Sequence, residues 1–298
     1  LIVILFWRPN VIYLGNANII CAALITRFFR KKVIFRLMGV YEVMRSYHIG
    51  TSFKNKFYLW CYKSQFKVII CTQDGSGIEP WIDKTLNPNS KIFKLINGVD
   101  HQINNLRNEN KLKIIKILFI GRLEEDKGII ELLNVINYYE KNKISIFEFT
   151  IIGTGVLEKQ TIDFIKDTKN IKINYKSMIP HEDISNIFNE HDIYISLNKR
   201  GSLSNTTLEA MSNGLMCFCL SSDNNNGIDV FTDKFLKEGL VKRINRKNIK
   251  DDLINNLNNI EKNKIISFKK NTYQFAKNSI PSWEKRIEEE LKIINELF

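Results

Sequence analysis

IIKILFIGRLEEDKGII, Ile114 to Ile130, decides how the chain is read. Ile114–Ile120 is an apolar run broken only by Lys116 and closed by Gly121, the pattern of a buried strand. Gly121 and Arg122 follow, then an acidic turn, and then Lys127 and Gly128 open a helix. Two fixed cations thus flank a strand-to-helix loop, where the free amides of a helix start gather partial positive charge. Such a loop suits an anionic ligand, a diphosphate above all. A surface Arg and Lys on an ordinary loop would give the same letters, so this stretch alone leaves both readings open.

The same alternation extends on either side. Upstream, strands are predicted at 11–14, 33–37, 68–71 and 92–96, with helices at 19–29, 54–66 and 78–86. Downstream, strands are predicted at 147–152, 171–175, 193–197, 215–220 and 240–243. Helices fit between them at 128–141, 156–168, 182–189 and 206–213, the last followed by Gly214 as a helix terminator. Strands alternating with helices build parallel β-α-β units. The run 246–278 reads as helical and highly charged. A last helix enters through Pro281 and carries an apolar stripe of Trp283, Ile287, Leu291 and Ile294. The polar, Asn-rich stretch 101–113 has no periodicity and reads as a linker. The expected division is a first domain over 1–105, a second over 106–278, and a closing helix over 279–298.

Composition narrows the classes. The 298 residues are 44% hydrophobic and 26% charged, as a globular protein requires. The formal net charge of +12 suits an anionic membrane surface or a polyanionic substrate, and a biased genome composition would produce it too. Lys and Arg form no stripe with interleaved aromatics, so nucleic acid is not expected as a partner. The densest basic patch, Arg27, Arg30, Lys31 and Lys32, reads as a solvated helix end rather than a membrane contact. Five cysteines include no C-x-x-C pair, and Cys217 and Cys219 share one face of a strand as buried thiols. Reduced thiols fit a cytoplasmic setting. The four histidines lack metal-ligand spacing, so no metal site is expected. No apolar run reaches transmembrane length. Leu1 is not an initiator methionine, and LIVILFW starts in mid-element, so the chain is expected to lack the start of its first domain.

Four segments at the carboxyl ends of predicted strands point toward one ligand, since open α/β sheets bind there. The first is Gly121-Arg122 with Lys127-Gly128. The second is Gly153-Thr154-Gly155, where two glycines let the backbone turn and approach a ligand. The third, Lys176–Pro180, offers backbone groups to a base. The fourth is NKRGSLSNTTLEAMSNG, Asn198–Gly214. There Ser204 or Asn205 can cap the following helix, whose first amides make a second anion site. Glu209, a turn inside that helix, can accept two hydrogen bonds from a ribose diol; a helix-start Glu stabilised by the dipole is the plainer alternative.

GRLEEDKG, IIGTG and SNTTLEAMSNG, in this order and spacing, resemble the retaining glycosyltransferases of the GT-B fold, specifically family 4. VIICTQDG followed by KLINGVD resembles that family's approach to its interdomain crossing, and the helix from Trp283 resembles the one that returns to the first domain. The resemblance implies an α/β protein of two Rossmann-like domains facing across a cleft, the first incomplete. It implies that Arg122 and Lys127 neutralise a nucleotide-sugar diphosphate as the catalytic pair. Gly121, the amides near Ser204, Asn205 and Thr206, Met178 beside the base, and Glu209 on the ribose would bind the donor. It further implies a metal-independent hexosyltransferase with no cofactor, only the nucleotide-sugar co-substrate. A saccharide or lipid-linked acceptor is expected, in surface polysaccharide or glycolipid assembly, in the cytoplasm or peripheral to the inner face of the membrane.

Two departures from the pattern stand out. The first glutamate of the E-x7-E motif, a donor-sugar contact in the family, falls on Gly201. Met38 stands where family members often carry a histidine, with Arg36 two residues before it. A catalytically weakened GT-B-like binding or regulatory protein is therefore the alternative reading.

Overall fold

The computed structural model describes residues 9, 11–29, 32–101, 114–236 and 239–296. The predicted linker, apart from His101, lies outside them, as do Arg30 and Lys31.

Two parallel sheets are present. The first has strands β1 (Val11–Gly15), β2 (Lys32–Leu37), β3 (Val68–Thr72) and β4 (Lys91–Leu95), hydrogen-bonded in sequence order. Ile34, Val68, Ile70 and Leu95 lie in one of its cores, and Phe35, Leu37, Ile69 and Cys71 in the other. Burial on both faces explains why the inner strands β2 and β3 read as largely apolar runs instead of alternating ones. Helices α1 (Ile19–Phe28), α2 (Glu42–Arg45), α3 (Phe53–Tyr62) and α4 (Ile78–Thr85) connect them. Arg27 stands exposed in the last turn of α1, as a helix end should, and is also engaged: Nε donates to Ser64 Oγ at 2.9 Å, and the guanidinium lies 4.3 Å from the Trp60 ring centre.

The second sheet has strands β5 (Ile115–Ile120), β6 (Phe147–Ile152), β7 (Lys172–Lys176), β8 (Ile193–Ser196), β9 (Met216–Leu220) and β10 (Val241–Ile244), in the order β10-β9-β8-β5-β6-β7. Its helices are α5 (Ile129–Lys141), α6 (Glu158–Asp167), α7 (Ile184–Asn189), α8 (Asn205–Ser212), α9 (Val230–Phe235), α10 (Ile249–Asn258) and α11 (Lys262–Ser279). Strand β9 shows the two-sided packing residue by residue. Met216, Phe218 and Leu220 enter the core that holds α5 and α10, while Cys217 and Cys219 enter the core under α8. The strand order reverses between β5 and β8, and a crevice opens at such a point.

Two expectations about the end of the chain are corrected. The predicted run 246–278 is two helices, α10 and α11, broken at Asn259–Glu261 with no Gly or Pro to mark the break. The last helix, α12 (Trp283–Asn295), starts after Pro281 with Ser282 as its cap, Oγ accepting from Lys285 N. It buries the predicted stripe only in part: Trp283 and Ile294 are half-buried, Ile287 and Leu291 are exposed, and Arg286 and Ile293 are buried. The reason is polar. Arg286 Nε donates to Ile96 O at 2.9 Å and Nη1 to Glu290 at 2.7 Å, which draws the guanidinium inward, while Nη2 is buried without a partner among the described residues. These contacts bring α12 onto the first sheet, where Ile293 joins Ile34, Val68 and Ile70. No described helix is long and apolar enough to cross a membrane.

Candidate functional site

A cleft of about 500 Å³ lies between the two lobes at the carboxyl ends of their strands. From the second lobe it is lined by Arg122, Lys127, Asn198, Arg200, Gly201, Ser204 and Asn205. From the first come Arg36, Met38, Asp74 and Asn97, and α12 adds Trp283.

The β5 loop delivers its cations as the sequence suggests. Lys127 ends a short 3-10 turn, and Gly128, at φ 78°, starts α5. That glycine is required twice over, since a β-carbon there would also meet Leu197 O at 2.8 Å. Lys127 is half-buried and forms no ion pair among the described residues. Burial lowers its pKa from the ordinary lysine value, opposed by Asp126, with Arg122 and Arg200 lowering it further. Arg122 is more exposed and donates to Glu124 Oε1 at 2.8 Å. An anion entering the cleft must compete for it.

Across the crevice, Ser204 caps α8, Oγ accepting from Thr207 N at 3.3 Å, so Ser204 and not Asn205 is the cap. The Asn205 side chain is instead engaged across the lobes, its Oδ1 accepting from Asn97 Nδ2 at 2.6 Å. The free amides at the start of α8 and the Lys127 ammonium face one cavity.

The remaining predicted residues lie off this wall. Gly121 sits behind it, its N–H donating to Ile152 O at 3.0 Å. Thr206 follows Asn205 in the first turn of α8, half-buried. Glu209, a turn deeper, lies 3.8 Å from His181; burial raises its pKa, His181 lowers it and Asp100 raises it. Met178, in the loop after β7, is 82% exposed. At Gly153 and Gly155 protein fills the side a β-carbon would take: on Gly153 it would overlap Gly121 O, and on Gly155 it would lie 2.8 Å from Leu123 N. The G-x-G turn thus braces the cationic loop, with Leu123 N donating to Thr154 O at 2.8 Å.

Sequence reasoning did not single out Arg200, Asp74 or Asn97. Arg200 is held by Asp126 at 3.1 Å and adds a cation to the cleft wall. Its position just past a strand end was the available signal. Asp74 and Asn97 come from the other lobe, and only folding sets them opposite α8.

Gly201 has a steric explanation. Its φ is 140°, and a β-carbon would lie 2.8 Å from Asp74 O, from Gly75 C and from Ser76 N. The backbone of the first lobe occupies the space a glutamate stem would need. Leu203 N donates to Asp74 O at 3.2 Å, and Asp229 N donates to Gly75 O at 2.7 Å, fastening the lobes there.

Comparison with known proteins agrees with this geometry. The model of the family described as glycosyl transferases group 1 matches residues 102–278. The chain belongs to that family. Its group 1 fold is GT-B. Sucrose-phosphate synthase from Thermosynechococcus elongatus superposes with TM-score 0.76 at 12% identity, over 99% of this chain and 75% of that one. Anabaena HepE, in complex with UDP and glucose, superposes with TM-score 0.70 at 12% identity, over 99% and 80% of the two chains. A glycosyltransferase from Rickettsia africae gives TM-score 0.69 at 13% identity, over 99% and 78%. No curated protein matches by sequence.

Proposed function

We propose that this group 1 glycosyltransferase moves a sugar from a nucleoside diphosphate to an acceptor hydroxyl with retention of anomeric configuration. One observation carries the reading: Lys127, Arg122 and the capped start of α8 line the same crevice. Bond breaking leaves charge on the diphosphate, and preorganised cations and amides stabilise it there without reorganising. Arg122, Lys127 and the α8 amides supply that charge in this proposal, so a metal ion is not required. The departing phosphate oxygen takes the acceptor proton as the acceptor oxygen attacks from the same face. Glu209 holds the ribose and Met178 flanks the base. HepE, bound to UDP and glucose in a similarly folded chain, lends support to such a donor.

Residues 1–105 are proposed as the acceptor side and 106–278 as the donor side. A groove of about 620 Å³ supports this assignment: it shares Met38 and Tyr41 with the cleft and continues past Tyr47, Tyr58 and Tyr62. Aromatic faces suit a saccharide or lipid-linked acceptor. The net charge of +12 favours work at an anionic membrane surface, as surface polysaccharide or glycolipid assembly would require.

The test is a panel of UDP-, GDP- and ADP-sugars scored by thermal shift and by release of nucleoside diphosphate with and without a hydroxyl acceptor. At least one donor is expected to raise the melting temperature and to turn over. A panel without any stabilising donor overturns the proposal. Stabilisation without release would favour a binding or regulatory role, to which the closure of position 201 lends weight.

A further inference from the structure

We infer that Asp74 selects the sugar: its free carboxylate oxygen accepts hydrogen bonds from hydroxyls of the group that the donor carries on its distal phosphate. The inference rests on the nucleotide-sugar reading above. Among the described residues of the cleft wall, Arg36, Arg122, Lys127 and Arg200 are cations and Asp74 is the one acid. Cations answer the charge of a diphosphate. A carboxylate repels it, so the place of Asp74 in the same cavity calls for a neutral donor of hydrogen bonds.

The carboxylate is built in. Oδ1 accepts from Ser76 N at 3.0 Å and from Ser76 Oγ at 2.5 Å. Ser76 Oγ in turn accepts from Val40 N at 2.8 Å, and Arg45 donates to Ser76 O. Among the described residues, no neighbour donates to Oδ2. That oxygen lies over Gly39, at φ 83°, where any β-carbon would overlap it. Burial pushes the Asp74 carboxyl up from its ordinary range, while the Ser76 bonds and Arg45 hold it down.

Position picks the sugar over the phosphates. The Asp74 carbonyl accepts from Leu203 N, one residue before the Ser204 cap, and its backbone closes on Gly201. A phosphate at the start of α8 therefore has Asp74 as a near neighbour, and the sugar attached to that phosphate is the part within its reach. The loop that excludes a side chain at 201 thus brings a carboxylate from the opposite lobe.

The test measures affinities of UDP, UDP-glucose, UDP-galactose, UDP-N-acetylglucosamine, GDP and GDP-mannose by calorimetry for the wild type, Asp74→Asn and Ser76→Ala. Asp74→Asn is expected to keep nucleoside diphosphate affinity within about 2-fold. It is expected to erase about 10- to 100-fold of the preference among sugars, the range for hydrogen bonds to a charged group. Ser76→Ala keeps Oδ2 and should change that preference by less than about 3-fold. Unchanged sugar preference in Asp74→Asn overturns the inference. So does an equal loss of diphosphate affinity, or an equal effect of Ser76→Ala, since each would mark a merely structural role. Loss of turnover with sugar preference intact overturns it in favour of a part in the chemistry. Failure of every diphosphate to bind the wild type is a separate result, and it removes the nucleotide-sugar reading itself.

Discussion

Gly201→Ala should destabilise the protein by about 2–6 kcal/mol. The added methyl group would lie 2.8 Å from three backbone atoms of the first lobe, Asp74 O, Gly75 C and Ser76 N. Backbone cannot swing aside as a side-chain tip can, so the overpacking cost of about 1–3 kcal/mol applies in full. The φ of 140° adds about 1–3 kcal/mol, because an L side chain rarely adopts it. Such a sum is a large part of the roughly 5–15 kcal/mol that keeps a domain folded. Equilibrium urea denaturation followed by tryptophan fluorescence measures the effect, and small-angle scattering reports whether the lobes part. Gly15→Ala is the control: its β-carbon would meet nothing nearer than 3.9 Å, and the change should fall within about 0.5 kcal/mol. A Gly201→Ala protein with the wild-type midpoint and the wild-type scattering curve would refute the claim that position 201 is closed by the opposite lobe.

Lys127→Ala should lower turnover by about 100-fold or more, and Arg122→Ala by somewhat less because Arg122 is exposed and already paired with Glu124; unchanged donor kinetics in both would remove them from the site. Nucleoside diphosphate affinity should be steady near neutral pH and fall as pH rises through the Lys127 pKa, because the anion binds the protonated ammonium. The fall should begin below the ordinary lysine value of 10.5, and Lys127→Arg should move it upward; calorimetry across pH 7 to 11 checks both. Glu209→Gln should weaken nucleotide binding by about 10-fold while circular dichroism stays unchanged, and equal affinity would release Glu209 from the ribose role. Arg286→Met should cost about 2–3 kcal/mol in urea denaturation, at or below the low end for breaking a buried pair, because Glu290 keeps Arg36 at 3.9 Å.

The alternation of strands and helices was legible because burial on both faces writes itself as short Ile- and Val-rich runs. Most strand bounds differ by one residue from those read in the sequence, β5 starting at Ile115 and β9 at Met216. Ser204, Lys127 and Arg122 were legible too, since each lies beside its own strand end or helix start. What escaped depends on partners distant in sequence. The division of 246–278 into α10 and α11 follows packing, with α10 against α5 and α11 against α8. The inward face of α12 was legible only in part, because hydrophobicity gives no hint that Ile96 O and Glu290 will draw Arg286 inward. Asp74 carried no signal of its own in the sequence, because Gly201, against which its backbone packs, comes from the other lobe.

The main chain passes between the lobes twice, outward near Gly98 and back near Ser282, and the two passes touch. Val99 and Ser282 form a parallel bridge, and a β-carbon on Gly98 would lie 2.7 Å from Trp283 N. Joined side by side, the two passes make one seam along the edge of the cleft. Asn97 and Trp283 stand at that seam and also line the cleft. That edge of the cleft is thus built from both crossings, Asn97 beside the outgoing one and Trp283 on the returning one.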